Sequence, residues 1–332
     1  MAAYFFAFLF SLCMALYLTP FVRAAALKYD IVDKPDGKLK FHKKPVAYLG
    51  GLSVYVAFLF TVALYFDFQK DVLGMLLAGT IIIMIGIIDD LKTIDPKLKL
   101  IGQAIAVFVL IRSGIYIQLF FLPYWACIIL TFFWLIGTTN AFNIIDVMDG
   151  LSTGIGIICC LTLFVISLLN GRPMIAVLSI SLAGALIGFL RFNFNPATIY
   201  LGDSGSMFLG LIIGSLAMTG SYTENNLLAC LAPVVILGVP IFDTLFVMYI
   251  RRKNGIPVMY GSTDHYALRL RKWKLTTKQT VVISYVIGTV LGLSGIGMML
   301  SPTNGVCLII LLTLIGIALV TGFLLSKVDM TQ

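Results

Sequence analysis

Long apolar stretches recur along the whole chain, and the charged residues collect in the short segments between them. A helix crosses a bilayer with about twenty apolar residues. The stretches that approach this length are 3–22, 46–66, 72–88, 98–111, 119–138, 151–169, 173–190, 205–220, 227–249, 279–299 and 303–325. The pattern predicts an all-α, polytopic integral membrane protein with about eleven transmembrane helices, folded as a single membrane-embedded domain over residues 1–332.

Composition excludes a water-soluble globule. Hydrophobic residues make up 60% of the chain and charged residues only 11%, and the mean hydropathy is +1.03. A chain with so few polar side chains cannot cover a soluble fold with polar surface. Soluble enzymes and soluble binding domains are therefore set aside.

The basic residues predict the orientation. With eleven spans, all but Lys70, Arg112 and Arg172 of the 23 Lys and Arg residues lie on one face. Cytoplasmic loops of membrane proteins carry an excess of Lys and Arg, so this face is predicted to be cytoplasmic, with the N-terminus outside and the C-terminus inside. We expect a multi-pass protein of the inner (cytoplasmic) membrane. Because the basic residues follow the topology, they do not indicate nucleic-acid binding.

Carboxylates gather on the same predicted face, although they come from three separate segments. They are Asp89, Asp90, Asp95, Asp146, Asp149 and Asp203. Acidic groups at membrane depth are costly and usually functional. Converging carboxylates suit Mg²⁺ or Mn²⁺ together with substrate phosphates, and nearby lysines and arginines neutralise phosphate charge. The pattern predicts a site that binds a phosphate compound from the cytoplasm and has its second substrate in the membrane.

Five sequence motifs stand in order between about residues 30 and 270. They are His42-Lys43-Lys44-Pro45 running to Gly50-Gly51, Asp89-Asp90, Asn140-Ala141-Phe142-Asn143 leading into Asp146 and Asp149-Gly150, Phe192-Asn193-Phe194-Asn195-Pro196 running to Gly202-Asp203-Ser204, and Pro240-Ile241-Phe242-Asp243. With these motifs the chain resembles the polyprenyl-phosphate N-acetylhexosamine-1-phosphate transferases. That family includes undecaprenyl-phosphate GlcNAc-1-phosphate transferases and the phospho-MurNAc-pentapeptide translocase.

The resemblance implies a specific reaction. A UDP-N-acetylhexosamine donates sugar-1-phosphate to a membrane polyprenyl phosphate, such as undecaprenyl phosphate, and UMP leaves. The product is a polyprenyl-diphosphate-linked sugar that starts a cell-envelope glycan, and the family requires Mg²⁺. The Pro240–Asp243 motif favours UDP-GlcNAc as the donor; the alternative is the phospho-MurNAc-pentapeptide transferase reaction of peptidoglycan synthesis.

The resemblance also suggests roles for four carboxylates. Asp203 and Asp146 are the expected metal ligands, and an ordinary helix N-cap is the structural alternative for Asp203. Asp89 and Asp90 are the expected catalytic pair. Because a phosphate monoester has a second pKa of about 6, a general base is not required, and the pair could instead hold the metal or orient the lipid phosphate. A covalent aspartyl-phosphate route and a simple ion pair with Lys92 remain open.

Five further residues are expected to bind substrate near these acids. Asn143 and Asp149 stand three residues on either side of Asp146, a spacing that predicts one side of a single helix. Asn143 is expected near the diphosphate, and Asp149 at the uracil or ribose. Lys43 and Lys44 are expected at the nucleotide or serve only as topological charges. Asn195, before a proline, is a substrate contact or a turn residue.

Three more candidates lie in and after the ninth predicted span. Asp243 is either a substrate ligand or a buried partner for a basic side chain. Many members of the family carry a histidine cluster after this span that helps to recognise the sugar, whereas this chain has only His265 there. His265 and Arg269, one helical turn apart, are expected to grip the sugar phosphate. The missing cluster leaves the identity of the sugar open.

Two other classes of membrane protein share part of this pattern. A secondary transporter would place its charges near the membrane midplane, but here they lie at one face. A CDP-alcohol phosphotransferase shares the start of the Asp146–Gly150 motif, but Thr153-Gly154 replaces the Ala-Arg pair expected next. The length of the polyprenol, the polymer that is primed and the oligomeric state, with a homodimer as one option, are not decided by the sequence.

Overall fold

The computed structural model describes residues 1–33, 45–66, 69–257 and 263–330, and within them the chain is almost entirely helical. The helices are α1 Ala2–Lys28, α2 Gly50–Tyr65, α3 Lys70–Leu91, α4 Pro96–Arg112, α5 Tyr124–Ile145, α6 Leu151–Leu169, α7 Pro173–Asn193, α8 Gly202–Met218, α9 Ala232–Ile236, α10 Gly238–Lys253, α11 Tyr266–Lys272, α12 Thr277–Leu300 and α13 Asn304–Ser326. A 3-10 helix, Leu227–Leu231, precedes α9. The prediction of an all-α polytopic membrane protein is confirmed at this level.

Helix length supports fewer spans than the hydropathy pattern predicts. Among the described residues, seven helices are long and apolar enough to cross a membrane, or eight if the bent pair around residue 237 counts as one. Each remaining predicted span also contains a helix, but α2 and α8 have 16 and 17 residues, and α4 has 17 with three basic residues. The total of eleven spans and the orientation therefore stay predictions.

The ninth predicted span, 227–249, is not one straight helix, which corrects the sequence analysis. The pieces Leu227–Ile236 and Gly238–Lys253 meet at an angle of 75°. Pro240 explains the break, because its ring has no N–H to bond the carbonyl of Ile236 and would clash with that carbonyl in a continuous helix. The bend turns α10 away from the line of α9.

The core of the bundle is built around α7 and α8. α1 packs along α7, and α3 and α5 pack against α8. Almost every residue of α8 from Ser204 to Ala217 is buried. A helix that is apolar on all sides belongs in the centre of a bundle, which is where α8 lies. α13, by contrast, lies at the periphery with most of its side chains exposed.

A small sheet ties the chain together at one end of the bundle. Strand β1, Val32–Asp33, pairs antiparallel with β2, Val46–Ala47. The segment before α8 is fixed to the same place, since Tyr200 N–H bonds Ala47 O at 2.8 Å and Gly51 N–H bonds Leu201 O at 2.8 Å. These backbone bonds locate the start of α8 beside the start of α2.

Glycines let α2 and α3 approach the backbone of α8. A Cβ added at Gly51 would overlap the backbone of Gly205, and one added at Gly86 would overlap the backbone of Ser204. Contacts this close leave no room for any side chain, so the first turn of α8 is held against two helices at once.

Replacing Gly86 with alanine tests this contact. The new Cβ would force α3 away from Ser204, so we expect the apparent Tm in detergent to fall by roughly 3–8 °C, as overpacking of about 1–3 kcal/mol would cause. Gly316→Ala is the matched control, because Gly316 is an exposed residue of α13 with nothing near its Cβ position. Equal melting temperatures for the two variants would contradict the close approach.

Candidate active site

A cavity of about 1860 Å³ opens at the end of the bundle where α3 and α5 end and α8 begins. Of the six acids grouped from the sequence, Asp95 does not line it and instead caps α4, whereas the other five, Asp89, Asp90, Asp146, Asp149 and Asp203, do line it. They come from α3, the α5–α6 connection and α8, so residues more than a hundred positions apart meet in one place. The sequence-based grouping of these acids agrees with this geometry, while their individual roles stay predictions.

The centre of this group is a cluster of Asp203, Asn143, Asp89 and Lys99. The amide of Asn143 donates to Asp203 Oδ1 at 2.6 Å and to Ser206 Oγ at 3.0 Å. Lys99 Nζ lies 2.8 Å from Asp89 Oδ2 and 3.3 Å from Asp203 Oδ2, and it donates to Asn143 Oδ1 at 3.0 Å. One ammonium group therefore stands between two carboxylates and an amide oxygen.

Lys99 is a site residue that the sequence pattern does not predict, because membrane topology alone accounts for a basic residue in this segment. Asp95 caps α4 by accepting from Lys97 N–H at 2.7 Å, and Pro96 starts the helix, so Lys99 falls in the first turn. A cation there faces the positive end of the helix dipole, which disfavours it unless carboxylates lie close by. That misfit is the signal that could have revealed it.

Asp90 has a different environment from its neighbour Asp89. Its Oδ1 accepts from Asp203 N–H at 2.7 Å, and its Oδ2 accepts from Ser204 N–H at 3.2 Å and Ser204 Oγ–H at 2.7 Å. Asp90 thus caps the N-terminus of α8 from another helix, and both of its oxygens are engaged there. Asp89 instead pairs with Lys99 and accepts from Ile94 N–H at 2.9 Å.

The predicted single helix carrying Asn143, Asp146 and Asp149 is wrong. Only Asn143 is helical, because α5 ends at Ile145 and the chain turns before α6, with Gly150 in the left-handed region at φ 78°. Spacing alone could not show this reversal, which glycine permits. The turn still directs both acids into the cavity.

Asp149 and Asn195 contact each other at one side of the cavity. Asn195 Nδ2–H donates to Asp149 Oδ2 at 2.8 Å, and Ala197 N–H donates to the same oxygen at 3.0 Å. Tyr200 and Tyr48 lie on the same side and have ring centroids 5.9 Å apart. The structure therefore brings both predicted substrate-binding residues to the site and joins them.

Asp146 is half-buried and close to other negative charges. Its pKa is raised well above the ordinary value, first by burial and then by the charges of Asp203, Asp90 and Asp149. Such repulsion would be relieved by a cation placed among these groups. Asp146 is therefore suited to act as a ligand of a cation.

The donor set fits a divalent metal held in part by the protein. Among the described residues, no three acidic, His or Cys side chains stand close enough to enclose a metal by themselves. Mg²⁺ is commonly held by one or two carboxylates together with water and substrate phosphates. Asp203 and Asp146 match that partial set, and their assignment as ligands stays a prediction.

Asp243, His265 and Arg269 do not line the cavity, which corrects the expectation that they contact the substrate directly. All three are buried, at 0%, 4% and 3% exposure, and none lines the main cavity. Asp243 Oδ2 lies 2.8 Å from His265 Nδ1. Of the two interpretations of Asp243, a buried partner for a basic side chain is therefore favoured over a substrate ligand. Lys43 and Lys44 lie outside the described residues.

Basic residues also line the cavity, and the sequence pattern did not predict them as site residues. They are Arg271, Lys272 and Lys274, on α11 and just after it. Their clustering within four positions was the available signal, but it was explained by membrane topology. We call the five acids the acidic wall of the cavity, and Arg271, Lys272 and Lys274 its basic wall.

Comparison with known proteins finds a matching family and several similar proteins. The family described as glycosyl transferase family 4 matches residues 72–221. A probable undecaprenyl-phosphate N-acetylglucosaminyl 1-phosphate transferase of Bacillus subtilis is 34% identical over 97% of this chain and 93% of its own length. A decaprenyl-phosphate N-acetylglucosaminephosphotransferase of Mycolicibacterium smegmatis is 30% identical over 81% and 76%. A phospho-N-acetylmuramoyl-pentapeptide-transferase of Bacillus cytotoxicus is 30% identical over 87% and 94%.

The Lys99 ammonium and a divalent cation compete for the same negative charge. We therefore expect Lys99→Met to bind Mn²⁺, a paramagnetic substitute for Mg²⁺, roughly tenfold more tightly than the unaltered protein. An EPR titration of free Mn²⁺ measures the affinity. Lys97→Met is the control, because Lys97 is an exposed lysine on the same helix, whereas Lys99 contacts Asp89 and Asp203. Weaker Mn²⁺ binding in Lys99→Met, or the same change in both variants, would contradict this arrangement.

Proposed function

The chain belongs to the polyprenyl-phosphate N-acetylhexosamine-1-phosphate transferase family, and on that basis we propose that it transfers sugar-1-phosphate from a UDP-N-acetylhexosamine, foremost UDP-GlcNAc, to a membrane polyprenyl phosphate. UMP is released, and the polyprenyl-diphosphate-linked sugar stays in the membrane. The observation that carries this proposal is the convergence of five carboxylates on one cavity at the end of a bundle of apolar helices, with Lys99 paired to two of them.

The chemistry is an in-line displacement at phosphorus. An oxygen of the polyprenyl phosphate attacks the phosphorus that bears the sugar, and the bond from that phosphorus to the bridging oxygen of UMP breaks. Because a phosphate monoester is mostly dianionic at neutral pH, its second pKa being about 6, no side chain needs to remove a proton. The protein has to position the two phosphate groups and balance their charge.

Asp203 and Asp146 are the proposed ligands of Mg²⁺, with Mn²⁺ as an alternative. When bound, the metal would neutralise charge on the donor diphosphate. The hydrogen bonds of Asn143 and Lys99 to Asp203 hold that carboxylate in one orientation. We assign to Asn143 the same positioning role, and to Asp149 and Asn195 the binding of the nucleoside.

Asp89 and Asp90, the expected catalytic pair, are assigned two different roles. Both oxygens of Asp90 accept hydrogen bonds from the start of α8, so we assign it to positioning Asp203. Asp89 shares Lys99 with Asp203 and is the candidate to orient the acceptor phosphate through that lysine. The same contacts give a covalent aspartyl-phosphate route no specific support.

The names of relatives support UDP-GlcNAc as the donor, and they also support the main alternative donor, UDP-MurNAc-pentapeptide. Of the three relatives described above, two are named for N-acetylglucosamine and one for N-acetylmuramoyl-pentapeptide. The predicted positive-inside orientation supports access of the UDP-sugar from the cytoplasm. A panel of donors decides between the two reactions.

The test is UMP release by the detergent-purified protein with undecaprenyl phosphate, Mg²⁺ and a panel that includes UDP-GlcNAc and UDP-MurNAc-pentapeptide. We expect release that depends on lipid and Mg²⁺ and prefers UDP-GlcNAc. Asp203→Ala should lower turnover roughly 100-fold or more, as the loss of a charge-stabilising group at a reacting centre does. The control is Glu224→Ala, because Glu224 is an exposed acid beyond the far end of α8.

Several outcomes would reject the proposal. Folded protein that releases no UMP from any donor would do so, as would release that does not need the lipid. Turnover in Asp203→Ala equal to that of Glu224→Ala would reject the metal assignment. Preference for UDP-MurNAc-pentapeptide would keep the family and replace the donor.

A further inference from the structure

Asp243 is a fully buried carboxylate on α10 whose two oxygens each accept one hydrogen bond. Its Oδ2 lies 2.8 Å from His265 Nδ1, and its Oδ1 accepts from Tyr266 N–H at 2.8 Å. His265 is the residue that precedes α11, and Tyr266 is the first residue of that helix. Because a buried carboxylate is tolerated only when its lone pairs are satisfied, these two bonds explain why an acid can stand at this position.

The bonds to Asp243 cap a helix that does not cap itself. The side chain of His265 makes no cap hydrogen bond to α11, and α11 has only seven residues. A helix of this length is not stable alone in water, so its position depends on tertiary contacts. Asp243 supplies a negative charge and an acceptor at the N-terminus of α11, from a different helix.

Two further contacts hold the same face of α11. Tyr266 Oη–H donates to Ser284 Oγ on α12 at 2.8 Å. Arg269 Nη1–H donates to the carbonyls of Leu325 and Val328 at 3.1 and 2.7 Å, which fixes α11 to the end of α13. One face of α11 is thus attached to three other helices.

The other face of α11 contributes to the cavity wall. Leu268, Arg271 and Lys272 line the cavity, and Arg271 and Lys272 are exposed there. Because 268, 271 and 272 are related by helical spacing, a rotation of α11 would move all three together. Whatever sets the orientation of α11 therefore sets the position of the basic wall relative to the acidic wall.

We propose that Asp243 is a positioning residue that fixes the orientation of α11, and thereby the affinity of Arg271 and Lys272 for the phosphates of the nucleotide-sugar donor. This inference rests on the proposed function, since it assumes an anionic donor between the two walls. It assigns Asp243 no contact with substrate. The bend before α10 contributes to this positioning, because α10 carries the carboxylate that accepts a hydrogen bond from the first residue of α11.

The decisive comparison is Asp243→Asn against Asp243→Ala. Asparagine can keep both bonds, with its oxygen accepting from Tyr266 and its amide donating to the other tautomer of His265, whereas alanine keeps neither. We expect the donor KM to rise about tenfold in Asp243→Ala and to stay within about threefold of the unaltered protein in Asp243→Asn. The KM for polyprenyl phosphate should change little in both. If Asp243 bound substrate through its charge, Asp243→Asn would be as defective as Asp243→Ala.

A double-variant cycle tests whether Asp243 acts through α11. Arg271→Ala alone should raise the donor KM, and Arg271→Ala added to Asp243→Ala should raise it by clearly less than the product of the two single effects. Arg252→Ala is the matched control for the loss of a cation, because Arg252 is exposed on α10 and does not line the cavity. Independent, multiplicative effects would overturn the proposal.

Folding and function are checked separately. Equilibrium binding of UDP, measured by calorimetry on each variant at matched size-exclusion profile, gives a readout besides turnover. His265→Ala, which removes one of the two bonds, serves if Asp243→Ala does not fold, and it should weaken UDP binding in the same direction. An unaltered protein that neither binds UDP nor releases UMP would reject the proposed function. An active protein whose Asp243 and His265 variants bind UDP normally would reject only this inference.

Discussion

The balance of negative charge at the end of an apolar bundle is the constraint on which the rest of the structure depends. A carboxylate removed from water costs several kcal/mol unless donors or cations surround it. The first turn of α8 balances Asp90, and His265 with the first turn of α11 balances Asp243. Asp89 and Asp203 share Lys99. Helix N-termini and one lysine therefore replace the water that would otherwise solvate these groups.

The hydrogen bonds that hold the site together also stabilise the fold. The contacts that hold Asp203 also hold α8, and α8 is the buried centre of the bundle. Its first turn is fixed by backbone bonds from the segment before α2 and by the glycine contacts of α2 and α3. A cluster of like charges can be maintained only where the surrounding structure is this well determined, because repulsion would otherwise spread the groups apart.

The sequence predicted the helical class and the grouping of the acids, because apolar length and alternating topology decide which segment ends share a face. It failed where local geometry decides. α5 ends at Ile145, so the helix that the spacing of Asn143 and Asp146 implied stops before Asp146, and Gly150 makes a left-handed turn ahead of α6. The role of Asp243 depended on an N–H more than twenty residues away. Lys99 was overlooked because one charge on a loop serves topology and chemistry equally well.

The two walls of the cavity differ in how they are supported. The acidic wall is fastened through backbone contacts that leave no free volume, at Gly51, Gly86 and the first turn of α8. Arg271 and Lys272 of the basic wall lie on a seven-residue helix that is held to its neighbours through side chains, including those of Asp243, Tyr266 and Arg269. We therefore expect adjustment to substrates of different size to come from α11, with the acidic wall as the fixed reference. An inhibitor that contacted the acidic wall alone would find its target already formed, and discrimination among related enzymes would depend on the contacts it made with the basic wall.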